Sequence, residues 1–381
     1  MVLEKILSGT FLPKKIQHLV QYVLLGSALL SCGNPQRINT PYSGDDEQVE
    51  DIPEDITDNG PPALPYPPRI AYVVSDGTFD EMVIADAAGT ELQRFSFPWE
   101  VHKYSAPCWT ADGKKIVVFP SAWTDEGLFT LDVATGSLDL LIQSPGQFYG
   151  YINGSANGDL AVLVQDIQSE EAAPAEVVIL HGAERERVTH NLVHDYSPVW
   201  APDGRLLYVS STGDMLQHRS TAYIYDGEHH TELPTGVPYI YSIIWAPDGR
   251  SFAFFGGEFG ETNLYHISAA GETAELLASL NGRNLQWAPN GRYLVMDDGV
   301  MSFSHSLYRF DVAERQLVRL TENGNSSPVI SHDSEEVLFR SNRAGGSNLF
   351  KMRWDGTEVQ QLTFFESPLQ AYPAEWQGYC R

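Results

Sequence analysis

A six-residue segment, Trp-Ala-Pro-(Asp/Asn)-Gly-Arg, occurs three times in this chain at nearly even spacing. The copies begin at Trp200, Trp245 and Trp287, so successive copies lie 45 and 42 residues apart. A looser copy begins at Trp109, which is 91 residues, or two such periods, before Trp200. Repeats of this length, built from short apolar runs, indicate a β-propeller in which every repeat forms one four-stranded sheet.

Each copy has the same internal order of strands and turns. In the copy at Trp200, the run 196–200 enters a Pro-Asp-Gly turn and the run 206–210 leaves it. Asp-Gly between two apolar runs predicts a hairpin, because glycine adopts positive φ without steric cost. The runs 222–225 and 230–233 supply the third and fourth strands.

The same alignment predicts seven blades and their closure. Six internal copies begin near residues 105, 152, 196, 241, 284 and 326. The segment from Ile70 to Val74 matches a second strand without a first, and the segment from Tyr372 to Trp376 matches a first strand without a second. We therefore expect these N-terminal and C-terminal strands to pair, closing an all-β, seven-bladed ring and removing its exposed sheet edges. Six blades is the alternative, if the copy at residue 152 is a long insertion.

Three segments are predicted along the chain. Residues 1–31 combine Lys14-Lys15 with an apolar run, which is typical of a secretory signal peptide. This run ends in Leu-Leu-Ser-Cys, which resembles the bacterial lipobox, so we expect lipidation of Cys32. Residues 32–68 are acidic and proline-rich and predict a disordered tether, and residues 69–381 form the propeller.

The repeat Ser-Pro-x-Trp-(Ser/Ala)-Pro-Asp-Gly-(Lys/Arg) resembles that of the TolB-type propellers of bacterial envelope proteins. The resemblance covers roughly residues 70–377, and no copy ends in the Trp-Asp dipeptide of WD repeats. Two features differ: the acidic segment stands where TolB has an α/β domain, and we count seven blades where TolB has six. With Gly33 after the lipobox cysteine, the resemblance implies a lipid anchor in the outer membrane, facing the periplasm or the cell surface.

Charge and cysteine content bear on the partners. The formal net charge is −26, which disfavours nucleic acid as a partner. The expected partner is an envelope protein or a glycan, the expected membrane contact is the lipid anchor at Cys32, and we expect a monomer. If Cys32 is acylated, Cys108 and Cys380 are left as a possible pair, which spacing alone does not establish.

No residue pattern predicts catalysis. The eleven histidines show neither HxH nor HExxH spacing, and no Gly-x-Ser-x-Gly, P-loop or dinucleotide-binding motif is present. We therefore predict no catalytic residues, no metal site and no cofactor. The tryptophans recur at one position in the repeat, which is typical of packing between sheets.

The residues that differ between copies lie just before each first strand. The loops there join one blade to the next and should ring the mouth of the channel. They are rich in tyrosine, with polar neighbours that suit a peptide or a sugar. The predicted ligand-binding residues are Tyr104, Tyr149, Tyr196, Tyr241, Tyr372, His194 and Arg283. The alternative is that these tyrosines only pack between blades.

Two classes of function follow from this reading. The first is a membrane-tethered, non-catalytic propeller that binds a protein or a glycan of the cell envelope. The second is a polysaccharide-active enzyme, because some seven-bladed propellers of similar repeat are oligogalacturonate lyases. We favour the first because a fold alone does not fix an activity and no catalytic signature is present.

Overall fold

The structure, a computed structural model, describes residues 67–101, 106–118, 120, 127–143, 147–166, 173–212, 219–258, 261–271, 273–299, 305–322 and 324–377. The chain divides into two units, Met1–Pro62 and Ala63–Arg381, and the first lies outside the described residues. The signal peptide, the lipidation of Cys32 and the tether therefore stay predictions. Within the described ranges, no helix is long and apolar enough to cross a bilayer.

The described chain is all-β and forms seven four-stranded antiparallel sheets, which confirms the predicted seven-bladed propeller. The strands are β1 Arg69–Ser75, β2 Asp80–Asp86, β3 Glu91–Ser96, β4 Cys108–Trp109, β5 Lys115–Val118, β6 Leu128–Asp132, β7 Leu138–Ile142, β8 Gln147–Gly154, β9 Leu160–Asp166, β10 Glu176–His181, β11 Glu184–Arg187, β12 His194–Trp200, β13 Leu206–Thr212, β14 Arg219–Tyr225, β15 His230–Leu233, β16 Tyr239–Trp245, β17 Ser251–Gly257, β18 Asn263–Ser268, β19 Glu275–Ala278, β20 Gly282–Trp287, β21 Tyr293–Asp298, β22 Leu307–Asp311, β23 Gln316–Arg319, β24 Asn325–Ile330, β25 Glu336–Ser341, β26 Asn348–Arg353, β27 Gln360–Gln361 and β28 Gln370–Trp376.

Blades 1 to 6 follow the chain, each taking four consecutive strands from β4 to β27, and blade 7 combines β28 with β1, β2 and β3. The copy at residue 152 forms blade 2, so it is a full blade rather than an insertion. First strands of successive blades contact one another from β4 round to β28, which places them at the central channel. Second strands are almost wholly buried, whereas fourth strands such as β11 and β15 are exposed at the outer edge.

Blade 7 closes the ring in the predicted way. In its register Ile70 lies opposite Trp376 and Tyr72 lies opposite Ala374. The backbone N–H of Gln377 continues the pairing by donating to the carbonyl of Arg69 at 2.8 Å. The first and last strands of the described chain therefore pair in one sheet, and this pairing covers the edges that they would otherwise expose.

The repeated tryptophans belong to the core, as predicted. Trp109, Trp245, Trp287 and Trp376 are buried, and Trp200 is partly buried. Trp245 of blade 4 packs in one cluster with residues of blade 3, and its indole Nε1–H donates to the Val199 carbonyl at 3.1 Å. The tryptophan thus joins neighbouring sheets, which explains its recurrence in five of the seven blades.

The turns between first and second strands follow the predicted chemistry. In blade 3, the Ala201 N–H donates to the Arg205 carbonyl at 2.7 Å, and Gly204 has a φ of +88°. Blade 6 lacks the tryptophan and the glycine, and Ser334 adopts the left-handed conformation instead, with a φ of +63°. The turn geometry is therefore the same in blade 6, although its sequence departs from the motif.

The propeller has two distinct faces. We call the face formed by the turns after first strands and after third strands the turn face. The mouth face is formed by the connectors that lead into first strands and by those between second and third strands. Backbone hydrogen bonds tie these two sets of connectors together, from Asp195 N–H to the Ala175 carbonyl (2.9 Å) and from Ala371 N–H to the Ser347 carbonyl (2.8 Å).

Candidate functional site

The innermost strands share a β-bulge near the mouth face. The register shifts between Tyr196 and Val199 in β12, and equivalent shifts occur in β8, β16, β20, β24 and at the β1–β28 pairing. At four of these bulges a non-glycine residue has positive φ: Tyr151 (46°), Ser197 (51°), Asn284 (50°) and Ser327 (54°). Such conformations cost about 1–3 kcal/mol each and concentrate at functional sites. Four of the seven non-glycine residues with positive φ in the described chain therefore lie on the channel side of the mouth.

Tyr151 is the most exposed residue of this bulge set. Its side chain is 67% exposed, and its place on β8 puts it beside the channel. The surrounding protein nevertheless raises the pKa of its hydroxyl by desolvation. An aromatic ring that is open to solvent yet ringed by protein is suited to contact a ligand entering the channel.

The hydroxyl of Tyr196, one of the predicted tyrosines, makes two hydrogen bonds. It hydrogen-bonds with Ser220 Oγ at 2.6 Å and donates to the Ile240 carbonyl at 2.8 Å. Burial raises the pKa of this phenol well above its ordinary value. The hydroxyl of Tyr196 thus links blade 3 to blade 4, as the packing alternative proposed.

The other predicted tyrosines are distributed around the mouth. Tyr241 is partly buried and its ring lies 6.5 Å from that of Tyr239, nearly parallel to it. Tyr372 in blade 7 lies under the guanidinium of Arg340, which is 5.8 Å from the ring centroid. Tyr104 and the side chain of Tyr149 lie outside the described residues.

The two predicted polar residues lie in different blades. His194, at the start of β12, accepts a hydrogen bond at Nδ1 from the Ala175 N–H at 3.1 Å. Burial lowers the pKa of His194, so its imidazole is neutral at pH 7. Arg283 lies in β20 directly opposite Asp297 of β21. His194 and Tyr196 thus lie in the same strand, β12, and Tyr196 lies near Tyr241 of blade 4. Arg283 lies two blades away from Tyr372.

A buried polar group between blades 5 and 6 was not predicted. Asp297 is fully buried, and its Oδ2 accepts hydrogen bonds from Asn284 Nδ2 and the Ser327 N–H, both at 2.8 Å. Its Oδ1 lies 3.8 Å from His305 Nδ1, and both of these atoms lack a hydrogen-bond partner. The signal in the sequence was a pair of carboxylates, Asp297 and Asp298, at the end of an otherwise apolar second strand, Tyr293–Asp298.

Exposed apolar side chains differ between the mouth face and the outer edge. Leu192 (94% exposed), Phe364 (77%) and Phe79 (54%) all lie in connectors of the mouth face. The exposed apolar residues of the outer strands, such as Leu140 and Leu276, are about half covered by their neighbours. The mouth face therefore carries the most exposed apolar side chains of the described chain. Within the same ranges, no group of three or more His, Cys, Asp or Glu side chains is arranged to hold a metal ion.

Comparison with known proteins identifies the type of propeller. The family model described as the TolB beta propeller domain matches residues 205–374. An uncharacterized protein of Agrobacterium fabrum is 29% identical over 178 residues, which cover 44% of this chain and 57% of that protein. The chain thus spans little more than half of this relative.

Solved structures agree on the fold. TolB from Acinetobacter baumannii has a TM-score of 0.52 at 17% identity, with 81% of this chain and 66% of that chain covered. An oligogalacturonate lyase in complex with manganese has a TM-score of 0.60 at 14% identity, with 72% and 82% covered. At such identities these likenesses show the fold alone. The family match over residues 205–374 and these likenesses show a β-propeller that is similar to the propeller of TolB.

Proposed function

We propose that this protein is a membrane-tethered propeller of the cell envelope that binds a protein partner on its mouth face without catalysing a reaction. The lipobox and the acidic tether of the sequence support a lipid anchor that holds the propeller away from the membrane. The TolB type of the fold supports an envelope location.

The exposed apolar residues of the mouth face carry the proposal. Covering a fully exposed leucine or phenylalanine contributes about 1.5–3 kcal/mol, and Leu192 and Phe364 are nearly bare. Exposed apolar side chains on a face that also carries tyrosines and hydrogen-bonding groups are typical of protein interfaces. A sugar would use Tyr151 and the polar groups but would gain little from an isolated leucine.

The net charge supports a partner with a neutral or basic surface. At −26, the chain repels acidic macromolecules at long range and attracts basic ones. This long-range electrostatic attraction affects the rate of association more than the final affinity. It therefore favours partners by the overall charge of their surface and not by individual contacts.

Capture from detergent-solubilised envelopes tests the proposal. The double variant Leu192→Ser with Phe364→Ser should lose the partner that the wild type retains. The matched control, Leu140→Ser with Leu276→Ser, changes exposed leucines of the outer strands and should retain it. If both variants capture the same protein as the wild type, the mouth face is not the binding surface.

The lipid anchor has a separate test. Mass spectrometry of the mature N terminus should find an acylated Cys32 and no residue of 1–31. A Cys32→Ser variant that still fractionates with membranes would contradict the anchor while leaving the binding proposal intact.

The similarity of the fold to that of an oligogalacturonate lyase supports a second candidate function, that of a polysaccharide-active enzyme. β-Elimination from a uronate chain produces a conjugated double bond, whose ultraviolet absorbance can be followed directly. Absorbance that rises with wild-type protein and oligogalacturonate would replace the binding proposal with the enzymatic one.

A further inference from the structure

Most basic side chains of the described chain are neutralised by a carboxylate. Ten of them have a nitrogen within 4.0 Å of a carboxylate oxygen. They are Arg94, Lys114, Lys115, Arg187, Arg205, Arg292, Arg315, Arg319, Lys351 and Arg353. Among the half-buried basic side chains of the described ranges, four have no such carboxylate: Arg69, Arg283, Arg309 and Arg340.

Arg283 and Arg340 are two of these four, and both lie at the mouth. Each is only partly exposed, and neither makes an ion pair with any residue of the described ranges. Arg340 lies in β25 opposite Ser326 of β24, next to the bulge at Ser327. The contact recorded for its guanidinium is with the ring of Tyr372 in blade 7.

A short chain of contacts connects the two arginines. Arg283 lies opposite Asp297 across the β20–β21 pair. The Oδ2 atom of Asp297 accepts the N–H of Ser327, whose neighbour Ser326 lies opposite Arg340. Residues directly opposite in such pairs have Cβ atoms about 5 Å apart. The two arginines are therefore attached to the backbone at neighbouring positions of blades 5 and 6.

The local charge balance is positive. Asp297 is buried beneath hydrogen bonds from Asn284 and Ser327, so it attracts the arginines without being open to a ligand. Asp298 points to the opposite side of its strand, where its carboxylate accepts hydrogen bonds from the Ser306 N–H and the Tyr308 hydroxyl. Two guanidinium groups thus face one covered carboxylate.

Holding Arg340 in this place opposes folding. Desolvation lowers the pKa of its guanidinium, although arginine stays charged at any physiological pH. A desolvated charge that makes no ion pair is costly, so a carboxylate brought by a ligand would compensate it. The planar guanidinium fork matches a carboxylate through two parallel hydrogen bonds.

We propose that Arg340, assisted by Arg283, binds a carboxylate carried by a peptide segment of the partner protein. This inference rests on the proposed function and specifies what the mouth recognises. A peptide, rather than an acidic glycan, agrees with the exposed Leu192 and Phe364 on the same face and with the repulsion that a polyanion would meet. The ring of Tyr372 forms the wall behind the carboxylate.

Defined peptides test the inference on the whole mature protein. The probes are acetyl-Ala-Leu-Phe with a free C-terminal carboxylate, the same peptide as its amide, and acetyl-Glu-Leu-Phe amide, each at millimolar concentrations in calorimetry or thermal-shift titrations. We expect binding of at least one carboxylate peptide and none of the uncharged amide. The first probe reports a chain terminus and the third an acidic side chain. Trigalacturonate serves as the glycan probe.

Three variants identify the residues. Arg340→Gln and Arg283→Gln should each weaken the binding of the carboxylate peptide by about tenfold or more. Arg250→Gln removes an exposed arginine of the turn face that also has no carboxylate partner in the described chain, and it should bind like the wild type. The Arg340→Gln variant should also have an unchanged or higher melting temperature, because the substitution removes a charge that makes no ion pair. If Arg340 had a purely structural role, the substitution would lower the melting temperature.

The outcomes separate this inference from the proposed function. Equal binding of acid and amide, no binding of either carboxylate peptide, or wild-type affinity in both mouth variants overturns the carboxylate site. Binding of trigalacturonate in place of the peptides overturns it in favour of a glycan. If Arg340→Gln still captures the envelope partner while the Leu192 and Phe364 variant does not, the binding function stands and the carboxylate inference fails.

Discussion

The two faces of this propeller are built by opposite rules. On the turn face, five of the seven blades repeat one solution after the first strand, a glycine with positive φ such as Gly204 or Gly249, and in these two turns an aspartate oxygen accepts a nearby backbone N–H. On the mouth face, non-glycine residues such as Ser197 and Ser327 hold positive φ, and the connectors share no motif. The regular face satisfies its backbone locally, whereas the irregular face is held in place by neighbouring blades.

Under the proposed function, the turn face supplies stability and the mouth face supplies recognition. A repeated turn needs only its own residues, so it can be copied around the ring. A strained bulge persists only where the surrounding structure holds its backbone in place. Such strain is expected at a surface that binds a ligand. We therefore expect changes at the turn face to affect melting and changes at the mouth face to affect binding.

The two ends of the closing strand provide the sharpest contrast. Trp376 is buried at the turn-face end of β28, and Gln370 is exposed at its mouth end. Trp376→Ala should lower the free energy of unfolding by about 3–5 kcal/mol, because it opens a cavity where the ring closes. Gln370→Ala should change it by less than about 0.5 kcal/mol. Denaturant unfolding measures both, and similar losses for the two would contradict the division between the faces.

The disulfide of Cys108 should have the next largest effect. Cys108 is disulfide-bonded and lies at the turn-face end of blade 1, where Gln377 Nε2 also donates to the Gly113 carbonyl at 2.6 Å. The other two cysteines, Cys32 and Cys380, lie outside the described residues. Cys108→Ser should lower stability by about 2–4 kcal/mol without affecting partner capture. An unchanged melting temperature under reducing conditions would contradict a stabilising role.

Peptide mapping of the same disulfide also bears on the lipid anchor. An acylated Cys32 has no free sulfur to share, so a lipidated protein should yield a peptide that joins Cys108 to Cys380. A peptide that joins Cys108 to Cys32 would be incompatible with the predicted lipobox.

How far the sequence predicts this molecule follows from the same contrast. The blades, their number and the closing strand were predictable because the turn motif repeats and its chemistry is local. Even blade 6 could be aligned, since Asp333 keeps the aspartate of the turn and Ser334 stands at the position of its glycine. The mouth was predictable only as a region, because its connectors have no common pattern to align.

Individual mouth residues depend on contacts between blades that no local pattern reveals. The hydroxyl of Tyr196 is held by Ile240, which lies 44 residues further along the chain. The bulge shifts the register of β8 between Gly150 and Asn153, and the exposed ring there belongs to Tyr151. Arg340 escaped notice because it lies in a second strand, inside the blade rather than in a connector.

Substitutions at residues with positive φ, one on each face, test the backbone strain directly. Gly204→Ala places a Cβ in open space but at a φ of +88°, so it should cost about 1 kcal/mol through the backbone alone. Ser197→Gly relieves a φ of +51° and should raise stability by about 0.5 kcal/mol. The control Ser326→Gly, at a residue without positive φ, should lower it. Stabilisation by Ser326→Gly equal to that by Ser197→Gly would remove the case for strain.

The smallest expected effect is a difference in titration between two histidines. On the turn face, Glu186 at 3.1 Å and Asp159 at 2.9 Å raise the pKa of His181 above 6.5. On the mouth face, burial lowers the pKa of His194 below 6.5. The stabilisation from His181 is therefore complete below pH 6.5 and is lost as the pH rises through its folded pKa. His194 acts in the opposite sense: it destabilises the fold as the pH falls below 6.5, because a buried imidazole must then take up a proton.

NMR titration of the imidazole resonances separates the two, with His181→Gln and His194→Gln variants providing the assignments. His181→Gln should lower stability by less than about 1 kcal/mol at pH 5.5, because the group is exposed, and by less still at pH 8. His194→Gln should instead reduce the loss of stability on acidification. If His181 titrates below His194, the carboxylates of the turn face do not hold its proton, and the electrostatic contrast between the faces is wrong even though the backbone contrast stands.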